Sequence, residues 1–238
     1  MPGVDDTTRD PPADDPLVAW RLAMARVVDL VTGVEPDRME SRVPACPDWT
    51  ARELLSHVVG LGASVLAGDE PADHDATWTQ GHVEARRDRS VADLVREWYE
   101  LAEDLVVHMR EHGPRPLADV TIHEHDLRGA LDREGAHDTA GLRIVRRWML
   151  DRLDQRVRGL PPLALDAGRW SWTSAGSGVD VERAAVLLRA DGFDLDRAIV
   201  SRRTADQLRS FTVRGDVEPY LDSFAVLGPL PTEPLAGG

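Results

Sequence analysis

The sequence predicts an α+β fold, in which a helical bundle is followed by a small α+β domain. Apolar residues recur at helical spacing until about residue 158, as they do in helices that pack on one another. Beyond the pair Pro161-Pro162 the apolar spacing shortens to the alternation of strands. We therefore expect a disordered leader over residues 1–15, a bundle over 16–160 and a C-terminal domain over 161–238.

The bundle is predicted to contain five helices, several of which have clear start signals. Thr50 and Glu53 form a capping box, in which each side chain accepts a hydrogen bond from the other residue's backbone N–H. Ser90, with an acidic residue three positions later, begins the third helix, and Gly113 followed by proline ends it. Asp138 is expected to cap the fifth helix. The predicted helices cover residues 17–31, 51–67, 90–112, 117–132 and 139–158.

The remaining segments are predicted from composition and short patterns. Residues 68–89 are polar and contain Pro71, so we expect a long connection that could cover or gate a site. Thr204 and Gln207 form another capping box, which begins a late helix, and residues 218–224 are expected to add one or two turns. The predicted strands cover residues 163–165, 169–173 and 179–188 and would form a short antiparallel sheet, with a turn at 176–178.

Composition and charge exclude several classes of function. The formal net charge of −14 repels phosphate backbones, so we expect no nucleic-acid partner. No run of about 18 apolar residues occurs, which argues against a membrane span. The acidic, proline-rich start is unlike a secretory signal. Cys46 is the only cysteine, which excludes an internal disulfide and a multi-cysteine zinc site, and we expect a reducing, cytoplasmic location.

Three side chains have the spacing and placement of metal ligands. Asp119 and His123 are four residues apart on the predicted fourth helix, so they project from one face about a turn apart. His57 lies beside the apolar stripe of the second helix, which aims its imidazole inward. Three protein ligands with one open position are what a catalytic zinc site requires. A buried histidine can also be a satisfied core residue, and an Asp-x-x-x-His pair can occur on any amphipathic helix.

The other histidines are weaker candidates. His108 and His112 form a rival pair at the same spacing, in the last turn of the third helix. The helix dipole stabilises a histidine at such a position, which is an alternative reason for the pair. His125 projects about 200° away from His123 around the helix, so we expect that the two cannot share a metal. The three further histidines at positions 74, 82 and 137 lie in predicted loops without a partner pattern.

The sequence also resembles a known family, through motifs that occur in the same order along most of the chain. They are VPACPDWT at 43–50 continuing to LLSH at 54–57, IHEHDLR at 122–128, and SRRTADQ at 201–207 with GDVEPYL at 215–221. These stretches are similar to the entry of the second helix, the fourth-helix motif and the C-terminal segment of the mycothiol-dependent maleylpyruvate isomerases. That family belongs to the wider group of DinB-like metal-binding bundles, which implies an up-down helical bundle here.

The resemblance implies roles for the candidate residues. The family holds zinc with one histidine from the second helix and a carboxylate-x-x-x-histidine pair from the fourth, and these roles fall on His57, Asp119 and His123. The family usually has glutamate where this chain has Asp119, which is one methylene shorter. Asp126 is placed to orient His123, although a solvated surface aspartate would fit the spacing equally well. The implied cofactors are zinc, or another divalent metal, and mycothiol as the thiol.

An open cation site of this kind can activate a thiol. A low-molecular-weight thiol that reaches the cation loses its proton and can attack an electrophilic small molecule, leading either to isomerisation of a double bond or to a stable thioether. Arg202 and Arg203 are candidate clamps for a substrate carboxylate or enolate, or a surface pair beside the Thr204 cap. We expect no nucleophilic role for Cys46. The alternative is a non-catalytic, DinB-like module for ligand binding or protein interaction.

Overall fold

The structure is a computed structural model of the 238-residue chain, and it describes residues 14–71, 75–174 and 178–235. Residues 1–13 of the predicted leader, His74 and two residues of the turn predicted at 176–178 lie outside the described residues. The last two residues assigned to the leader belong to the folded chain. Asp15 caps the first helix by accepting from Leu17 N, and Asp14 forms an ion pair with Arg143.

The helical part begins with α1 and ends with α6. The helices are α1 (Pro16–Thr32), α2 (Ala51–Ala67), α3 (Ala76–Glu84), α4 (Val91–His112), α5 (Arg115–Leu131) and α6 (Ala140–Arg156). A short hairpin, β1 (Arg42–Val43) and β2 (Cys46–Thr50), leads into α2. The capping boxes at Thr50 and Ser90 are both present, and so is the expected span of α2. The fifth predicted helix corresponds to α6, whose cap is Thr139 rather than Asp138.

Four helices form the bundle, and each packs on two neighbours in the cycle α1, α4, α2, α5. The sixth helix, α6, lies against α1 and α5. Large side chains fill the centre, and Trp20 and Trp98 meet edge to face with ring centroids 6.5 Å apart. Burial of apolar surface is therefore the main interaction that holds the helices together. In this arrangement α2 and α5 lie side by side.

The connection predicted over residues 68–89 is wrong in one respect, because it contains the helix α3. Asp75 caps this helix by accepting from the backbone N–H groups of Thr77 and Trp78. His82 and Val83 on α3 are buried against α2. The composition of the segment is polar because α3 has only nine residues and buries a narrow face.

The C-terminal part is a four-stranded sheet with short helices. Its elements are β3 (Leu163–Asp166), β4 (Ser171–Thr173), β5 (Val186–Arg189), α7 (Gly192–Ala198), α8 (Ala205–Phe211), β6 (Thr212–Arg214) and α9 (Leu221–Phe224). The strand order is β4-β3-β5-β6, and β3 pairs with β5 in parallel. The predicted purely antiparallel sheet is therefore wrong, because the chain passes from β4 on one side of β3 to β5 on the other. Alternation in the sequence does not encode strand direction.

The C-terminal part packs directly on the bundle. Buried residues of the sheet and last helices, such as Leu165, Leu188 and Phe224, belong to the same hydrophobic cluster as the bundle core. The hydroxyl of Tyr220 donates to Pro161 O at 2.7 Å and ties the last turns to the start of the sheet region. The predicted division at residue 160 falls between α6 and β3 and stays a prediction. Among the described residues, no helix has the length and apolar character needed to cross a membrane.

Candidate metal centre

Helices α2 and α5 bring the three predicted ligands together. Asp119 Oδ1 lies 3.5 Å from His57 Nε2 and also 3.5 Å from His123 Nε2. One ligand atom from each of the three residues can be chosen so that all lie within 4.8 Å of one another. The two imidazole rings are nearly perpendicular, at 86°, with centroids 5.3 Å apart. Two ligands bound at about 2.0–2.1 Å to one tetrahedral zinc ion lie about 3.3 Å apart, which is close to both measured distances.

The state of Asp119 fits a metal ligand. Its Oδ2 atom is buried without a hydrogen-bond partner, which is costly for a carboxylate unless a cation satisfies it. Burial alone would raise the pKa of Asp119, but the charges of His123 and His57 outweigh it and hold that pKa below its ordinary value. The Asp119 side chain is still 18% exposed, so the site can be reached from solvent. Two imidazoles and a carboxylate are a donor set that suits zinc.

His123 is oriented by a buried carboxylate. Its Nδ1 atom is 3.0 Å from Asp126 Oδ2, so Nδ1 donates a proton to this carboxylate while Nε2 faces Asp119. Arg197 and Arg202 both donate to Asp126, at 2.5 Å and at 2.8 and 3.1 Å. Burial raises the pKa of Asp126, but the two guanidinium groups hold it well below its usual range. The sequence allowed two interpretations of Asp126, and the one that placed it on the solvated surface is wrong, because Asp126 is buried.

His57 is oriented by a residue that sequence reasoning missed. Its Nδ1 atom is 3.1 Å from Nδ1 of His82, and the two rings stack with centroids 5.2 Å apart. Burial, with the nearby charges of His57 and Arg86, lowers the pKa of His82 to about 4, so its ring is neutral. The sequence placed His82 in a loop without a partner. The signal that it lies on a helix was the Asp75 cap seven residues earlier.

The two predicted clamps are already paired with carboxylates of the protein. Arg202 holds Asp126 through Nε and one terminal nitrogen, and donates from the other to Val200 O. Arg203 donates to Asp194 Oδ1 at 2.8 Å and to the backbone carbonyl of Arg202. Both arginines are buried, so neither is the surface pair considered as an alternative.

Cys46 lies close to the site on β2. Its sulfur can be grouped with ligand atoms of His123 and Asp126 within 4.8 Å. That second group is less suited to a metal, because the two arginines and the hydrogen bond from His123 already engage Asp126. Burial raises the pKa of the Cys46 thiol to about 12, and the negative charge of Asp126 adds to this effect. The thiol is therefore protonated at neutral pH.

The remaining candidate histidines lie apart from this group. The rings of His108 and His112 are 4.5 Å apart on α4, and no third potential ligand gathers with them among the residues that the structure describes. His125 is buried on another face of α5, where both of its ring nitrogens lack hydrogen-bond partners. Its ring packs with His137 around Phe193. Among the described residues, no group of potential metal ligands contains both His125 and His123.

Aromatic and apolar side chains lie near the three candidate ligands. The ring of Trp49 lies 5.1 Å from that of His57, and its indole N–H donates to Gln80 Oε1 on α3. A small cavity with room for about one water molecule lies beside Asp119. Its walls include Trp20, Val58, Leu61, Trp98 and Leu105. Asp119 therefore lies beside aromatic and apolar side chains.

Comparison with known proteins gives a consistent family assignment. The sequence model of the mycothiol maleylpyruvate isomerase N-terminal domain matches residues 20–140. A solved crystal structure of a mycothiol-dependent maleylpyruvate isomerase has a TM-score of 0.56 at 16% identity, and a histidine-to-alanine mutant of that enzyme has 0.55 at 15%. Each alignment covers 81% of this chain and 90% of the other. These similarities show a shared fold, which confirms the predicted α+β class with its helical N-terminal bundle. No curated protein matches the chain.

Proposed function

Because this chain belongs to the mycothiol maleylpyruvate isomerase N-terminal domain family, we propose that it is a zinc-dependent enzyme that uses mycothiol. It would activate this low-molecular-weight thiol for attack on an electrophilic small molecule. The observation that carries the proposal is the group of His57, Asp119 and His123, in which one carboxylate oxygen faces two imidazole Nε2 atoms at 3.5 Å. The related structures carry the names of mycothiol-dependent isomerases, which favours isomerisation over S-conjugation.

We propose that His57, Asp119 and His123 hold the metal. A divalent ion there would supply a Lewis acid that lowers the pKa of an incoming thiol. Asp126 keeps the proton of His123 on Nδ1 and so leaves Nε2 free to ligate. The unpartnered Oδ2 of Asp119 supplies the negative charge that a cation needs in this apolar setting.

The chain's other residues would position the electrophile. The aromatic and apolar side chains beside Asp119 would limit the access of water, and exclusion of water strengthens every charge interaction inside the site. Arg202 and Arg203 stay candidates for holding a substrate carboxylate. Since both guanidinium groups already bind Asp126 and Asp194, a substrate would have to share these donors or displace the protein carboxylates.

The reaction can follow two routes from the same thiolate. In isomerisation the sulfur adds to one carbon of the alkene, the former double bond rotates, and the thiolate leaves unchanged. In conjugation a proton is added to the neighbouring carbon and the carbon–sulfur bond persists. The routes are distinguished by whether the thiol is consumed.

The proposal is tested by metal analysis and turnover on protein purified without chelators. We expect about one zinc per chain, and conversion of maleylpyruvate only when mycothiol is present. His57→Ala should lose both the zinc and the turnover. His108→Ala, which alters the rival pair on α4, should keep both. Retention of the metal by His57→Ala would contradict the assignment of the site.

A second candidate is a non-catalytic module that binds a ligand or another protein. One observation favours it, because both predicted clamp arginines are occupied by carboxylates of the chain itself. This hypothesis predicts that neither maleylpyruvate nor a panel of other electrophiles reacts with mycothiol in the presence of the zinc-loaded protein. One productive turnover that depends on His57 would reject it.

A further inference from the structure

His82, on the short helix α3, lies behind His57 on the side away from Asp119. Nδ1 of His82 is 3.1 Å from Nδ1 of His57, while Nε2 of His57 faces Asp119 Oδ1. The second nitrogen of His82, Nε2, is 3.2 Å from Ser64 Oγ on α2. His57, His82 and Ser64 therefore form a continuous chain of hydrogen-bonding groups that ends at the proposed metal ligand.

The proton positions in this chain follow from the role of His57. An imidazole that binds a metal through Nε2 carries its proton on Nδ1, and that proton needs an acceptor. Nδ1 of His82 is the acceptor at hydrogen-bond distance, so it must be unprotonated. His82 then carries its single proton on Nε2, where it donates to Ser64 Oγ. One tautomer of each ring, with the metal on His57 Nε2, satisfies all four ring nitrogens.

We propose that His82 is a positioning residue that fixes the tautomer and ring orientation of His57 for metal binding. This inference rests on the proposed metal site. His82 touches neither a substrate nor the ion, and it acts only through His57. Both ring nitrogens of His82 are engaged, one by a proposed metal ligand and the other by a hydroxyl.

The surroundings of His82 hold its ring in place. Trp78 packs edge to face against it at 4.3 Å, and the residue is only 4% exposed. Helix α3 approaches α2 so closely that a Cβ added at Gly60 would lie 2.5 Å from the His82 Cβ. Arg86, two residues after α3, donates to Glu97 on α4 and so anchors the end of α3 that carries His82. The acceptor is thus part of a rigid contact rather than a side chain free to turn away.

The two proposed histidine ligands are oriented by different kinds of acceptor. His123 donates to the ionised Asp126, whereas His57 donates to a neutral imidazole. A carboxylate acceptor raises the basicity of the metal-binding nitrogen more than a neutral one does. The chain therefore orients both ligands while placing only one buried negative charge behind them.

The test compares zinc affinity among variants of the full chain by competition with a chelator. His82→Phe keeps an aromatic ring but has no acceptor, and we expect its zinc affinity to fall about 10–100-fold. His82→Asn places Oδ1 as many bonds from Cβ as histidine places Nδ1, and should recover most of the affinity. His137→Phe, at an exposed histidine that stacks on Phe193, is the matched control and should bind zinc like the unaltered protein.

A second readout detects the hydrogen bond directly. In ¹⁵N NMR spectra of the zinc-loaded protein, His82 should show a proton on Nε2 and none on Nδ1, with a coupling across the hydrogen bond to His57 Nδ1. A purely structural role would move thermal stability but would leave the zinc affinity of folded His82→Phe unchanged, with nothing for asparagine to restore.

The outcomes separate the inference from the function on which it rests. If His57→Ala loses zinc while folded His82→Phe binds it with full affinity, the role of His82 is overturned and the metal site stands. A proton on Nδ1 of His82 would overturn the inference as well. If the unaltered protein and His57→Ala bind zinc equally, the metal assignment fails, and the inference fails with it.

Discussion

Asp119 lies between the two imidazoles, with its Oδ1 atom 3.5 Å from Nε2 of each. Its second oxygen is buried and without a hydrogen-bond partner. A carboxylate in this position gains most from a cation and loses most when no cation is bound. At the residue scale, substitution of Asp119 should therefore show how strongly metal binding depends on the negative charge of the site.

Asp119→Ala should abolish stoichiometric zinc binding, because the two histidines alone offer no negative charge to offset that of the ion. Asp119→Glu should retain zinc, since it keeps the carboxylate and adds one methylene. Metal analysis after gel filtration measures both variants. Zinc retained at one equivalent by Asp119→Ala would show that this carboxylate is not a ligand.

Cys46 should react slowly with thiol reagents, because burial raises the pKa of its thiol to about 12. At pH 8 we expect labelling to be at least about 10-fold slower in the native than in the unfolded chain, and to accelerate as the pH rises towards that pKa. A colorimetric disulfide reagent measures the rate. Rapid labelling of the native protein at pH 7 would contradict the buried, protonated thiol.

The residues of the site were predictable to different degrees. Spacing within one helix connects Asp119 with His123, and the inward face of α2 indicates His57. His82 and Arg197 could not be predicted, because each contacts the site from an element distant in sequence. Local periodicity gives the face on which a residue lies, but not which other element comes to meet it.

At the scale of elements, short capping signals were more informative than composition. Thr50, Ser90 and Thr204 begin helices where the sequence predicts them, since a capping box satisfies backbone groups locally. Helix α3 was missed because its polar composition resembles a loop, and α7 because seven residues carry almost no periodic signal. The contact of α3 with α2 nevertheless brings His82 to the site.

Gly60→Ala should destabilise the protein by about 1–3 kcal/mol, because the added methyl would overlap the Cβ of His82 and the Arg86 side chain. Gly81→Ala on α3 is the matched control. No atom lies within 4 Å of its added methyl, so the helix preference for alanine should leave stability unchanged or raise it by up to about 1 kcal/mol. Denaturant unfolding of the metal-free proteins measures both. Equal stability of the two variants would contradict the close α2–α3 contact.

At the scale of the whole molecule, one buried carboxylate joins the bundle to the C-terminal part. Asp126 on α5 receives hydrogen bonds from Arg197 on α7 and from Arg202, which follows α7. The sequence predicted two parts and their approximate boundary, but it could not predict this junction, since both arginines lie more than 70 residues after Asp126 in the chain. The orientation of His123 thus depends on the docking of the C-terminal part.

Asp126→Asn should destabilise the metal-free protein by about 3–5 kcal/mol, because it leaves two buried guanidinium groups without a counter-charge. Glu103→Gln breaks the exposed ion pair with Arg21 and should leave the unfolding midpoint nearly unchanged. Thermal and denaturant unfolding measure both variants. A stability of Asp126→Asn equal to that of the control would show that the buried cluster does not hold the two parts together.

We propose above all that His57, Asp119 and His123 bind one divalent ion and leave a position open. A crystal structure of the zinc-loaded protein, with diffraction data collected at the zinc absorption edge, tests it most directly. We expect a single strong anomalous peak about 2.0–2.2 Å from His57 Nε2, His123 Nε2 and an Asp119 oxygen, with solvent as a further ligand. An anomalous peak at Cys46 and Asp126 instead, or none among these three ligands, would contradict it.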